Sequence, residues 1–395
     1  MKEELERHLL AKIVPFWTKM ADWENGGFYG YAAASDLSIN KKANKGLVQH
    51  ARILWTFSAL ENKYHNGHFR PYMDLAYRFL MKSFADPAHP GFFWIIQNDG
   101  TPVDTRKVTY GQGFAIYGLA EYYKATGVKE ALDKARETFD GLEKAAFDSA
   151  FFGYWEEFDR AWNRTDCLIL GDGVPNTVYT VNTALHLLEA YVNLYEASPD
   201  ETVRLAIIHL IHIFETRMYN RFSGSLTPYF DQNYQSLDSL RSFGHNIEAS
   251  WLIDEASRKI DLNDPRLFVM TAELAKTVLR DGFNGSYVCN SDRNGKLDAS
   301  EIWWVQSEAM TGFYNQYQKT KKTVWLDAFK SVWKSVNERL VDPRPEGEWF
   351  WSADETGAPN LIRGIAEIWK TPYHNGRCLL ELIERMAQND STSHL

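Results

Sequence analysis

Three histidines in this 395-residue chain stand where proton-transfer chemistry would need them. His186 follows Asn182 by four residues, so the two share one face of a helix. His245 lies in the stretch SFGHNIEASW, one turn ahead of Glu248, with Trp251 at its end. His374 falls in the first turn of a helix announced by Thr371 and Pro372, a cap followed by a proline. An imidazole has an ordinary pKa of about 6.5, so it both accepts and returns protons near neutral pH. Arg52 is permanently charged and presents a fork of donors suited to a developing oxyanion. Tyr110 and the pair Trp304 and Glu308, on one helical face, complete a set that reads as a chamber for moving protons. His50, beside Arg52, is a further candidate. His209 and His212 are three apart, a metal-like spacing, but no third ligand accompanies them and a structural or exposed place is expected.

These residues need elements that bring them together, and an internal repeat supplies them. A glycine leading into an aromatic-rich stretch recurs at Gly27, Gly91, Gly153, Gly224, Gly285 and Gly347, in steps of 64, 62, 71, 61 and 62 residues. Each unit has room for two helices and a short hairpin or loop. Apolar residues between the glycines recur at helical spacing, predicting twelve helices near 2–20, 45–63, 70–84, 108–125, 129–145, 176–197, 200–219, 242–260, 264–280, 300–319, 323–340 and 372–388. Ser242 and Ser300 are expected N-caps. Even helices such as 113–123 and 181–195 are apolar nearly all round, whereas 129–145 and 323–340 keep a polar face. An inner ring and an outer ring follow: an all-α (α/α)6 barrel, six helix pairs with short β-hairpins or loops at one end, forming one domain over 1–390 with a frayed tail at 391–395. The candidates sit near the starts of even helices, so they converge on one end of the barrel.

Composition narrows the chemistry. A net charge of −9 disfavours a nucleic-acid partner, and three scattered cysteines fit a reducing cytoplasm better than a disulfide framework. Acidic residues interrupt the N-terminal MKEELERHLLAKIVPFW, which reads as neither a signal peptide nor a membrane anchor. No phosphate-cradling, dinucleotide, zinc-protease or nucleophile-elbow motif is present, so a nucleotide, a flavin or a catalytic zinc is not indicated. No motif sets an oligomeric state. The 14 Trp, 20 Tyr and 23 Phe serve a core or stack on sugar faces according to position.

In order along the chain, PFWTKMADWENGGFYGY (15–31), GLVQHARILW (46–55), TYGQGFAIYGL (109–119), VNTALHLLEAY (181–191), SFGHNIEASWL (242–252), WWVQSEA (303–309) and WKTPYHNGR (369–377) resemble the cellobiose 2-epimerase family within the N-acylglucosamine 2-epimerase superfamily. The resemblance implies the (α/α)6 fold and inversion at C2 of an unphosphorylated aldose without metal or redox cofactor. The substrate would be the reducing-end glucose of a β-1,4-linked disaccharide, or free mannose or glucose. On the matching positions His245 and His374 would be the acid/base pair at C2, His186 would assist ring opening and Arg52 would hold the intermediate's oxygens. Tyr110, Asn182, Trp251, Trp304 and Trp369 would contact the sugar, with Glu248 and Glu308 supporting the histidines and hydroxyls. Inversion needs protons on opposite faces of C2, which two bases on different helices satisfy; a single base would serve an aldose–ketose isomerase. A glycoside hydrolase built on two of Asp159, Asp172, Asp231, Glu248 and Glu308 is the rival enzyme. A non-catalytic sugar binder would leave the histidines without a task. Loops 222–241 and 352–368 are expected to set monosaccharide against disaccharide preference.

Overall fold

Even helices are buried on every side and odd ones along a single stripe, and that difference builds two concentric rings. The computed structural model describes residues 1–392, with side chains to residue 388. Its twelve helices, among the described residues, are α1 (2–19), α2 (Leu47–Tyr64), α3 (70–84), α4 (Thr109–Thr126), α5 (Lys129–Ala145), α6 (Val181–Ala197), α7 (201–218), α8 (Phe243–Lys259), α9 (265–282), α10 (Trp303–Thr320), α11 (323–340) and α12 (Tyr373–Thr392). Every residue of α4 from Thr109 to Tyr122 is buried, whereas α5 buries Ala131, Leu132, Ala135, Phe139 and Leu142 at three- and four-residue spacing. Successive even helices pack on one another from α2 to α12, and α12 returns to α2. Each odd helix packs outside the even helix before it, and α1 covers α12, so the two ends of the chain form the sixth pair. Gly118 lets α4 approach α2: a Cβ there would lie 2.6 Å from the Ala51 carbonyl oxygen, so alanine would push the helices apart.

The inner helices begin in a collar of very short strands. Residues 45–46 pair with 95–96, 107–108 with 157–158, 179–180 with 229–230, 240–242 with 291–293 and 301–302 with 352–353, and 364–366 close the circle on 32–33. Each strand just ahead of an even helix is thereby tied to the next repeat. The hairpin after every odd helix opens on Asp22, Asp86, Asp148, Asn220, Asn284 or Asp342, whose side-chain oxygen accepts a backbone N–H two residues on. Gly27 of the first hairpin has φ +68°, and a Cβ there would lie 2.7 Å from His50 Nε2.

His50 belongs to this scaffold. Its Nε2 accepts the Phe28 N–H at 3.0 Å, and its Nδ1 lies 3.0 Å from the Gly46 carbonyl. At the same helical position Gln112 clips Phe92, Asn246 accepts from Leu226 and Gln306 clips Val288. Burial lowers the His50 pKa to about 3, so it stays a neutral clip. His209 packs on the rings of Phe147, Phe152 and Tyr154, a structural place.

Three boundaries differ from expectation. Helix α6 starts at Val181 rather than 176, because residues 179–180 are strand-paired with 229–230. Ser300 does not cap α10: residues 301–302 are strand-paired with 352–353, the helix begins at Trp303, and Ser300 donates to Asp298. Helix α12 runs to Thr392, past the expected start of the tail at 391, and residues 393–395 lie outside the described residues. No helix among the described residues is long and apolar enough to cross a membrane.

Candidate active site

The ring delivers most of the predicted residues to the collar end. Helix α6 is started firmly: Thr180 caps it by accepting the Thr183 N–H, and buried Glu156 accepts from the Thr180 N–H and the Thr183 hydroxyl. One turn in, His186 faces Tyr110 of α4 at 5.2 Å between ring centroids and His374 of α12 at 6.4 Å. Ser242 caps α8, its hydroxyl accepting the His245 N–H at 3.4 Å. Trp304 of α10 packs on both His245, at 5.0 Å, and His374, at 5.6 Å. Two imidazoles from separate helices thus share one indole. Before α12, buried Lys370 pairs with Glu348, which also takes the Asn375 amide; this pins the segment bearing Trp369 and His374. Trp369 lies 5.9 Å from Tyr110. Asn182, Trp304 and Trp369 are half-buried, whereas His186, Arg52 and His374 are buried.

Arg52 is held rather than free. It donates to the Tyr110 hydroxyl at 2.6 Å and to the Trp369 carbonyl at 3.2 Å, and its guanidinium lies over Phe114 and Tyr373. Its Nε has no partner. Behind the histidines lie carboxylates: His186 Nδ1 is 3.1 Å from Glu189, and His374 Nδ1 is 2.6 Å from Glu308. Such contacts orient an imidazole and select its tautomer. The His245 Nδ1 is buried with no partner, although the ring keeps some exposure.

Sequence reasoning missed three residues of this site. Arg377, one turn after His374, donates to Glu189, to Glu248 at 2.9 Å and to Glu308 at 2.7 Å. Tyr373 donates to Glu189. Glu189, three residues beyond His186, was visible at helical spacing but was not matched to a partner. Trp251 was expected against the sugar. It is buried behind Glu308 instead, with its indole N–H donating to that carboxylate at 3.0 Å and Arg377 over its ring. Helical geometry explains this, because Trp251 lies two turns beyond the helix start and below the level of His245. Among the rival's carboxylates, Asp159 and Asp231 are occupied by N–H groups of their own turns, and Asp172 accepts from Tyr229.

Burial sets the electrostatics. It lowers His186 to about 4 and His245 to about 4, and it takes His374 well below the ordinary imidazole range with Arg52 and Arg377 adding to the effect. Burial also raises Glu248, with Glu308 adding repulsion, and raises Glu308 against the pull of Arg377. For Glu189 burial pushes up, but Arg377, His186 and Tyr373 outweigh it and hold the carboxyl well below its usual range. Oxygen and nitrogen atoms of Glu248, Glu308 and His374 lie within 4.8 Å of one another, a grouping able to hold a cation; the Arg377 guanidinium already bonds both carboxylates.

A pocket of three imidazoles, two of them backed by carboxylates, with an arginine beside it, is equipped to move protons to and from carbon and oxygen. The family model of N-acylglucosamine 2-epimerase (GlcNAc 2-epimerase) matches residues 26–378. A cellobiose 2-epimerase of Dictyoglomus turgidum is 41% identical over 98% of this chain and 99% of its own length. The structure of cellobiose 2-epimerase from Bacillus thermoamylovorans superposes with a TM-score of 0.95 at 39% identity, covering 97% of this chain and 99% of that one. A D-mannose isomerase structure shares the fold, with a TM-score of 0.86 at 17% identity over 97% of this chain and 98% of its own. The chain belongs to the N-acylglucosamine 2-epimerase family, among its cellobiose 2-epimerases, and is a sugar 2-epimerase, an isomerase with the (α/α)6 fold.

Proposed function

We propose that the chain inverts C2 of the reducing-end glucose of a β-1,4-linked disaccharide such as cellobiose, using His186 for ring opening and His245 with His374 for the C2 proton. The observation that carries this reading is the packing of His245 and His374, from α8 and α12, against the same Trp304 ring. His186, with Nδ1 directed to Glu189, keeps Nε2 for moving a proton between O1 and O5. Once the aldehyde is free, one imidazole takes the C2 proton and the C–H electrons pass into the C1 carbonyl. Arg52 stabilises the resulting enediolate, and the other imidazole returns a proton to the opposite face. His374 suits both directions: its Nδ1 faces Glu308, so a proton gained or lost at Nε2 is matched by a shift in the Nδ1 hydrogen bond. Tyr110, Asn182, Trp304 and Trp369 contact the sugar, and the relatives' names favour a disaccharide. Free cysteines at 167, 289 and 378 support a cytoplasmic location.

Hydrolysis is disfavoured because Glu248 and Glu308 both bond Arg377 instead of flanking a gap from opposite sides. Incubation of the protein with cellobiose in heavy water tests the proposal. An intact disaccharide carrying mannose at its reducing end, with deuterium at C2, is the expected product; free glucose, or unchanged sugar after long incubation, would overturn it.

A further inference from the structure

We infer that Arg377 is the positioning residue that joins the ring-opening imidazole and one C2 imidazole into a single hydrogen-bonded unit, from which the second C2 imidazole, His245, is left out. One nitrogen of the guanidinium bonds Glu189 and the Tyr373 hydroxyl, and the other bonds Glu248 and Glu308. Glu189 in turn holds His186, and Glu308 holds His374. The residue is 2% exposed and lies between the Tyr373 ring, at 4.4 Å, and the Trp251 ring, at 4.8 Å. Three carboxylates gathered in a buried site require a cation among them, because unpaired buried charge is strongly destabilising. The cation must also reach in two directions. A planar guanidinium does so with fixed geometry, whereas a lysine ammonium is a point charge that faces one carboxylate well and the others poorly. His245 supplies the contrast, since its Nδ1 has no partner.

The inference rests on the proposed roles of the histidines for its effect on turnover, but not for its effect on the imidazoles themselves. Its test therefore reads both. In ligand-free protein, nitrogen NMR of the imidazole rings reports the Nδ1 hydrogen bonds. In Glu189→Gln the His186 signal is expected to move most, the His374 signal to move less but measurably through Arg377, and the His245 signal to stay. An unmoved His374 signal overturns the inference. In Arg377→Lys both His186 and His374 signals move, and kcat falls by about 100-fold, the order of loss for a misplacement of about 1 Å, with KM within about threefold. Wild-type kcat, or a change confined to one of the two rings, also overturns it. Should Arg377→Lys not fold, the Glu189→Gln spectra decide alone. Should wild-type protein fail to exchange C2 hydrogen on any aldose, the proposed reaction falls and the ring signals still decide the coupling.

Discussion

At the far end of the ring, where the even helices finish, charged side chains surround a cavity of about 300 Å³ that reaches inward to Glu189, Trp251 and Arg377, the back of the collar-end network. Most of their charges are met. Glu121 takes Asn62 and Lys124, Glu196 takes Lys259, and Arg385 serves Glu255 and Glu381. At the collar end, Arg52 Nε, His245 Nδ1 and Glu248 Oε2 are buried without partners. A buried polar atom left unmet costs about 1–3 kcal/mol, so a fold keeps several together only where something else uses them. The comparison teaches that the number of charges does not mark a site; the state of their pairing does. Both ends are rich in charged side chains; among the described residues the Gln316 amide is also buried without a partner in the far half of the ring, but the unmet atoms of Arg52, His245 and Glu248 gather at the collar.

Substitutions should follow that division. The largest effect is expected from His245→Ala or His374→Ala: a loss of kcat/KM of about 1,000-fold or more, with thermal unfolding still cooperative, because each removes a group that handles the C2 proton. Near-normal turnover in either variant would mean that the collar histidines are not the working ones. Next comes pH. Because burial lowers His245 to about 4, kcat/KM should hold from neutrality down to about pH 5 and fall below it, whereas an ordinary imidazole would begin to protonate near 6.5. The sign for stability follows from the same shift. The unfolded imidazole binds its proton near 6.5 and the folded one only near 4, so its contribution is complete above 6.5 and declines as pH falls towards 4. Urea unfolding at several pH values measures this, and an acid limb of activity at 6.5 would contradict the burial argument. Smaller still, Trp369→Ala should raise KM by about tenfold while changing kcat less, as loss of stacking affects ground and transition states alike. An unchanged KM would return Trp369 to the core. The smallest effect belongs to the far end: Lys259→Ala should leave activity within about twofold and stability within about 0.5 kcal/mol, since partly exposed pairs contribute little.

The rings were legible in the chain because helical periodicity and a glycine period report burial directly. Most of the expected site residues also reached the collar, since helix starts, once placed, determine which end a side chain occupies. The sequence implies short β-hairpins or loops at one end, but not the collar strands that pair one repeat with the next. Residues 107–108 pair with 157–158, and two residues are too few to show an alternation. Ser300 misled for the same reason, as strand pairing of 301–302 displaced the helix start that its hydroxyl seemed to mark. His50 had a readable signal: Gln112, Asn246 and Gln306 hold the same place in their repeats, which marks a structural amide position rather than a catalytic one. Arg377 could have been found by charge counting. Glu189, Glu248 and Glu308 all lie on inner helices, and Arg52 alone is too small a counter-charge for three inward carboxylates.

The central claim is that two imidazoles stand on opposite sides of the substrate's second carbon. Its most direct measurement is a structure of the protein bound to the sugar alcohol of cellobiose, an open chain that cannot react. Nitrogens of His245 and His374 are expected within about 3.5 Å of that carbon, on opposite faces. Both rings on one face, or either one turned away from it, would contradict the account.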